Sequence, residues 1–383
     1  MKKVLFLTGT RADYGKLKSL MNIIEKSTSF QCSIFATGMH TLSRYGNTVN
    51  EIYKNGFQDI HTYMNQIKGD GMDIILANTI HGLSRYVHEN RPDLIVVHGD
   101  RVETLAGAIV GTLNNILVAH IEGGELSGTV DELIRHSVSK LAHIHFVANA
   151  KAVDRLKQLG EDSANIYEIG SPDHDVMNSR KLPELDYVKQ YYDIDFRDYA
   201  IGMLHPVTTE VDEMAKNAIE FTRFIKSSAR NYILIYPNND LGCEHIFNAY
   251  KDLEKNPRVK IFPSLRFEYF LSLLKNAEFI IGNSSAGIFE APFFAVPTIN
   301  IGTRQKNRFF HRSIVNCGYS EKEVYAAFKK IKGMVNLSPA YHYGKGDSAK
   351  KFLKVLSQKS FWSTSKQKQF LDFVALAKVS SIN

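Results

Sequence analysis

The run Leu94-Ile95-Val96-Val97-His98-Gly99-Asp100-Arg101 decides the fold class. Four consecutive apolar residues with no polar alternation describe a strand buried on both faces, as in a parallel sheet covered by helices. The acid after the small His-Gly step then emerges at the carboxyl edge of that sheet, where open α/β sheets hold their ligands. Three more segments repeat the pattern. Val4 to Leu7 leads into Gly9-Thr-Arg-Ala-Asp13, Ile116 to His120 into His120-Ile-Glu-Gly-Gly-Glu125, and Phe279 to Ile281 into Gly282-Asn-Ser-Ser-Ala-Gly287. Arginines on such an edge suit phosphate, and Asp100, Glu122, Glu125 and Asp131 suit proton transfer, so the edge points to chemistry on a nucleotide-activated substrate.

Outward from this run, strand-length apolar segments alternate with helix-period segments. Cys32 to Ala36, Ile144 to Val147 and Tyr167 to Ile169 complete the strands of the first half, and Lys16 to Lys26 places Leu17, Leu20, Met21 and Ile24 on one helix face. A second set follows: Ala200 to Leu204, Tyr232 to Tyr236, Val259 to Phe262, Phe279 to Ile281 and Thr298 to Ile301. Between the sets, 171–199 carries Pro172, Pro183, many charges and little strand pattern. The expected fold is α/β, with two Rossmann-like doubly wound domains facing a cleft: 1–170 with the carboxylates, a hinge region over 171–199, and 200–383 holding the nucleotide. Phe370, Phe373, Val374 and Leu376 suggest a last helix that docks on the first domain.

Bulk composition narrows the function classes. A chain of 383 residues with 44% apolar residues is long enough for two cores. The formal charge of +7 arises from basic residues scattered among acids, without an aromatic-basic module, so a solvated surface is expected rather than nucleic-acid binding. Cys32, Cys243 and Cys317 lie far apart without metal or redox spacing and read as buried thiols of a reducing compartment. Met-Lys-Lys leads straight into a short strand, and no run reaches the ~18 apolar residues of a membrane span. A cytoplasmic protein with no membrane partner is expected.

The first loop lacks both G-x-G-x-x-G and the Gly-Lys-Ser/Thr ending. It offers Arg11 and Lys16 beside a helix N-terminus, a setting for an anion; alternatively Arg11 pairs with Asp13 at the surface. Asp100 at a strand end must be hydrated, paired or functional, and Arg101 is either its partner or a phosphate ligand. Glu122 repeats the geometry, with Gly123 and Gly124 permitting close backbone approach. Asp131 starts a helix that Thr129 or Ser127 caps; it either joins the other acids or forms an i, i+4 pair with Arg135. Three converging carboxylates are expected to raise one another's pKa, so that a protonated and an ionised acid coexist.

Fourteen histidines raise the question of metal, but His143-x-His145 beside His136 has no accompanying Cys or H-E-x-x-H spacing, and no metal is expected. His205, ending the first strand of the second set, is placed to face the cleft and neutralise a leaving phosphate. In Gly282-Asn-Ser-Ser-Ala-Gly-Ile-Phe-Glu290, Ser284, Ser285 and backbone N–H groups can cradle a diphosphate while Glu290 accepts from ribose hydroxyls. Ser284 can also simply cap the helix. Arg304 adds a cation at the next strand end.

These motifs, together with Arg135-His, Ser139-Lys-Leu-Ala-His, His205-Pro-Val-Thr-Thr-Glu and Gly302-Thr-Arg-Gln, resemble the UDP-N-acetylglucosamine 2-epimerase family over nearly the whole chain. The resemblance implies a glycosyltransferase-B-like fold and looks most like the hydrolysing branch of bacterial sialic-acid pathways. Non-hydrolysing members read Gly-Thr-Arg-Pro-Glu and His-Val-Glu-Ala-Gly, from which this chain departs at Ala12, Asp13 and Gly123. Conversion of UDP-GlcNAc and water to UDP and N-acetylmannosamine through a 2-acetamidoglucal is implied. By position Asp100, Glu122, Asp131 and His205 match the family's catalytic residues. Arg11, Arg101, Ser284, Ser285, Glu290 and Arg304 match UDP-binding positions, and Asp175 is a further acid. No nicotinamide or other cofactor is implied, and a homodimer or homotetramer is. The same motifs would serve a UDP-diacetamido-trideoxy sugar of the legionaminic acid pathway, and a nucleotide-sugar sensor would keep Ser284, Ser285 and Glu290 without needing Asp100 or Glu122.

Overall fold

In the computed structural model, which describes residues 1–127, 129–179, 182–369 and 371, two parallel sheets stand on either side of a cleft. The first has seven strands: β1 (Lys2–Thr8), β2 (Phe30–Ala36), β3 (Ile60–Thr62), β4 (Leu94–His98), β5 (Leu117–Ile121), β6 (Ile144–Val147) and β7 (Ile166–Glu168). They lie in the order β3-β2-β1-β4-β5-β6-β7. The second has β8 (Ala200–Met203), β9 (Tyr232–Ile235), β10 (Val259–Phe262), β11 (Ile280–Gly282), β12 (Thr298–Ile301) and β13 (Ile314–Cys317), in the order β10-β9-β8-β11-β12-β13. In each sheet the order reverses once, between β1 and β4 and between β8 and β11, so each has a crevice at its carboxyl edge. The chain has the doubly wound, glycosyltransferase-B-like architecture.

Pleating explains the uninterrupted apolar runs. Val4 and Phe6 pack into one buried cluster while Leu5 and Leu7 pack into another on the opposite face. In the second sheet Tyr232 and Leu234 divide from Ile233 and Ile235 in the same way. The edge strands β3 and β13 are not expected from the sequence: Ile60-His-Thr and Ile314-Val-Asn-Cys are short and half exposed, so they carry no apolar run. Gly282 has φ +132°, and a Cβ there would lie 2.0 Å from the Met203 carbonyl oxygen, so β11 closes on β8 only with glycine at its end.

The segment expected as hinge contains two short helices, Asp173–Met177 and Leu185–Tyr191. From Met177 onward it contributes Val188, Ile194, Phe196 and Tyr199 to the second core. The chain later crosses back. Helix Ser348–Leu356 buries Phe352 and Leu356 beside Val4 and Phe6, and Phe361 closes the same cluster. Each such aromatic or leucine burial is worth about 1.5–3 kcal/mol. The stretch Phe370, Phe373, Val374 and Leu376 lies outside the described residues. Among those residues, no helix is long and apolar enough to cross a membrane.

Candidate active site

The two crevices face each other across a cleft of about 260 Å³, lined on one side by Thr10, Arg11, Lys16, Asp100, Arg101 and Asp131, and on the other by His205, Ser284, Ser285, Glu290 and Arg304. An adjoining compartment of about 160 Å³ adds His98, Glu122, Arg135 and Arg308. The structure therefore brings Arg11, Lys16, Asp100, Arg101, Glu122, Asp131, His205, Ser284, Ser285, Glu290 and Arg304 to this region, whereas Glu125, which accepts from Asn149 Nδ2 at 2.6 Å, and Asp175 line neither compartment.

On the first-domain side, Thr10 caps the helix Arg11–Glu25 by accepting from the Asp13 N–H. Arg11 does not pair with Asp13. Its Nε stands 2.9 Å from Glu51 Oε2, and its Nη1 donates to Ser264 Oγ across the cleft at 2.7 Å. Lys16 also differs from expectation. It lies in the second turn of the helix, with Nζ 3.1 Å from Asp173 Oδ2 and 3.2 Å from Glu290 Oε1. Burial opposes its charge, but the two carboxylates hold its pKa well above the ordinary lysine value. It is the internal counter-ion of Glu290 rather than a cation displayed at a helix terminus. Arg101 is not the partner of Asp100; its Nη2 donates to Asn239 Oδ1 at 3.0 Å and its Nε lies 3.5 Å from Glu103.

The three acids occupy different electrostatic settings. Burial pushes Asp100 up, but Arg135, which ion-pairs with it, and Arg308, at 3.6 Å, outweigh that and hold it well below the carboxylate range, with the Ser127 hydroxyl donating at 3.0 Å. Glu122 is also forced below its ordinary value despite burial, by His98 and Lys16. Its Oε2 accepts from His98 Nε2 at 3.1 Å and its Oε1 from the Ser171 hydroxyl. Only Asp131 is raised, by burial and by the Asp100 charge, against the pull of Arg304 at 3.3 Å. The expectation that the acids raise one another thus fails for two of them, because the cations beside them, Arg135 and Arg308 at Asp100 and His98 and Lys16 at Glu122, outweigh burial. Arg135 prefers Asp100 and the Glu122 carbonyl, the latter at 2.7 Å, to the i, i+4 pair with Asp131. Thr129 is the cap of that helix.

On the second-domain side, His205 Nδ1 accepts from the Asn238 N–H at 3.1 Å, which leaves its proton on Nε2. Burial, then Arg304 and Arg101, hold it well below the ordinary histidine pKa. The cleft thus presents a neutral donor, not the imidazolium needed to neutralise a phosphate. Ser284 caps the turn Ser285–Gly287 by accepting from Ala286 N–H at 3.3 Å. The helix beyond it, Glu290–Phe293, is a single turn, so its dipole is weaker than a full helix would supply. Glu290 is 3% exposed, and its Oε2 is buried without a hydrogen-bond partner. Burial raises its pKa while Lys16 opposes the rise.

Several site residues escape the sequence reading. Arg308, four residues past Arg304 in a turn, packs 5.6 Å over the Phe289 ring and donates to Ser127 Oγ at 2.6 Å; no local pattern marks it. Asp13 and His98 stand in the quoted motifs, and Ser171 and Asp173 in the segment expected as hinge, yet the sequence assigns none of them a role. His98 carries a signal, as the polar end of an otherwise apolar strand. Gly123 gains a reason, since a Cβ there would stand 2.8 Å from His120 Nδ1 and 3.0 Å from Ser139 Oγ. Asp175 accepts from the N–H groups of Ser348 and Ala349 at 2.7 Å each, capping the returning helix away from the acids. His143 and His145 are occupied by Val118 N–H and Glu161. No cluster of three or more His, Cys, Asp or Glu able to hold a metal occurs among the described residues.

A family model described as UDP-N-acetylglucosamine 2-epimerase matches residues 22–357. The UDP-N-acetylglucosamine 2-epimerase of Neisseria meningitidis serogroup B is 46% identical over 97% of this chain and 99% of its own length. The UDP-N,N'-diacetylbacillosamine 2-epimerase (hydrolyzing) of Legionella pneumophila is 33% identical, covering 93% of this chain and 96% of its own length. In fold, the chain is similar to the crystal structure of the Methanocaldococcus jannaschii UDP-GlcNAc 2-epimerase in complex with UDP-GlcNAc and UDP. The TM-score there is 0.79, at 22% identity, over 93% of this chain and 99% of that one. Taken with the paired crevices and the buried acids, these likenesses place the chain in the UDP-N-acetylglucosamine 2-epimerase family.

Proposed function

We propose that this protein is a hydrolysing UDP-N-acetylglucosamine 2-epimerase, converting UDP-GlcNAc and water to UDP and N-acetylmannosamine for sialic acid biosynthesis. The carrying observation is the arrangement of the cleft, with Asp100, Glu122 and Asp131 opposite Ser285, Glu290, His205 and Arg304. A diphosphate seated by Arg304, Arg101, Ser285 and the His205 Nε2–H puts its sugar toward the acids, and the unpartnered Oε2 of Glu290 accepts from a ribose hydroxyl.

The division of charge supplies roles. Glu122, held as a carboxylate, removes the C2 proton while the C1–oxygen bond to UDP breaks, giving 2-acetamidoglucal. Asp131 is the raised acid, and a diphosphate that draws Arg304 away from it raises it further, so it protonates the departing oxygen. Asp100, fixed between Arg135 and Arg308, faces the positive charge developing at C1. Water then adds across the double bond with inversion at C2, and the free sugar leaves.

The hydrolysing assignment draws on relatives named as hydrolysing, in Legionella pneumophila and Campylobacter jejuni, each 33% identical to this chain. Those same names favour a second reading, a UDP-2,4-diacetamido-2,4,6-trideoxy sugar as substrate. Incubation with either UDP-sugar, with products resolved by NMR, distinguishes the two. Turnover of only the diacetamido sugar would transfer the mechanism to that substrate, and turnover of neither would refute both.

A further inference from the structure

Both ring nitrogens of His98 face carboxylates: Nδ1 lies 2.8 Å from Asp13 Oδ1 and Nε2 3.1 Å from Glu122 Oε2. An ionised carboxylate can only accept, so meeting both requires a proton on each nitrogen. The remaining oxygens are also committed. Asp13 Oδ2 accepts from the Gly9 N–H at 3.1 Å, and Glu122 Oε1 from Ser171, whose hydroxyl also reaches Asp173. Asp173 in turn pairs with Lys16. Because Lys16 and Asp13 both lie on the helix Arg11–Glu25, the contacts close into a ring on the element where they began. Glu122 itself holds φ +61°, a left-handed conformation that strains a non-glycine residue and persists only where the surroundings impose it.

We propose that His98, anchored by Asp13, is a positioning residue that fixes the orientation of the Glu122 carboxylate toward the acid-lined compartment. This rests on the reading of Glu122 as the group that takes the C2 proton. In that step the C2–H pair becomes the C1–C2 double bond, the C1–O pair leaves with UDP, and the proton neutralises Glu122. Asp13 is then the carboxylate that still balances the imidazolium, which explains why the ring has two acidic partners rather than one. The titratable and charged groups around Asp13, His98 and Glu122 are Lys16 from the helix, His120 from β5, which burial holds well below the ordinary histidine pKa, and Arg135 and Asp173, while Asp13 also faces the buried His40. Burial opposes a charge on His98, but Glu122 and Asp13 prevail and raise its pKa to about 9.

Two measurements test this. In an NMR titration of the His98 ring, the wild type is expected to titrate near 9, and Glu122→Gln to lower that value by about a unit or more. Titration at the ordinary histidine value in the wild type overturns the proposal whatever the substrate proves to be. In pH profiles of kcat/KM, His98→Gln and Asp13→Asn are expected to move the acidic limb to higher pH by about a unit or more with KM changed less than about threefold, while Asp13→Glu retains the wild-type limb. Lost activity with an unmoved limb in both variants means a merely structural role. If the wild type turns over no UDP-sugar, the functional reading fails while the ring titration still decides the role of His98.

Discussion

Replacing Lys16 by methionine removes the cation in contact with both Asp173 and Glu290, which are 0% and 3% exposed. Breaking a buried ion pair from one side costs about 3–5 kcal/mol, because the partner charge stays behind without compensation. Here two carboxylates stay behind, so the upper part of that range is expected. For a domain of this size each kcal/mol corresponds to about 2–4 °C, so a loss of about 4–5 kcal/mol should lower the melting temperature by roughly 8–20 °C. Thermal unfolding followed by circular dichroism reads the change directly. Adding Glu290→Gln to Lys16→Met should recover part of the loss, since one stranded charge is removed, and the two substitutions should therefore be non-additive. A loss below about 1 kcal/mol, or strict additivity, would refute the claim that this triad is a buried and mutually dependent unit.

Glu290→Gln alone should weaken UDP binding about tenfold, or ~1.4 kcal/mol, by calorimetry, because Oε2 then no longer serves as a charged acceptor for a ribose hydroxyl; unchanged affinity would mean the ribose lies elsewhere. His205 is held neutral by burial and two arginines, and a bound diphosphate raises its pKa, so UDP binding in mildly acidic buffer should take up protons. Calorimetry in buffers of different ionisation enthalpy measures that uptake, and its persistence in His205→Asn would assign it to another group. The raised pKa of His98 makes a contribution to stability that is fully present below about 6.5 and is lost as pH rises through about 9. Denaturant melts across that window should show the loss in the wild type and a flatter profile in His98→Gln. Asp100→Asn should abolish turnover while leaving UDP affinity within about tenfold; full activity would remove Asp100 from the mechanism.

The sheets were legible because parallel strands are buried on both faces, so Val4 to Leu7 and Leu94 to Val97 carry no polar residue to confuse the period. Edge strands β3 and β13 were not, since β3 sends only Ile60 to a core and β13 interrupts its inward residues with the exposed Asn316. The strand-end motifs disclosed which residues gather at the cleft, because every strand of a parallel sheet ends on the same side. Their partners were hidden. Arg135 lies four residues from Asp131 yet reaches Asp100, and Arg304 crosses the cleft to Asp131, 173 residues away in sequence. Charge states followed from those partners rather than from residue type, and so the acids could be named from the sequence while their protonation could not.

The most direct test of the central claim is proton NMR of the purified protein with UDP-GlcNAc in D2O, without added metal or nicotinamide. The expected products are UDP and, in equal amount, N-acetylmannosamine carrying deuterium at C2. Release of the epimer still attached to UDP, or of N-acetylmannosamine that keeps protium at C2, would contradict it.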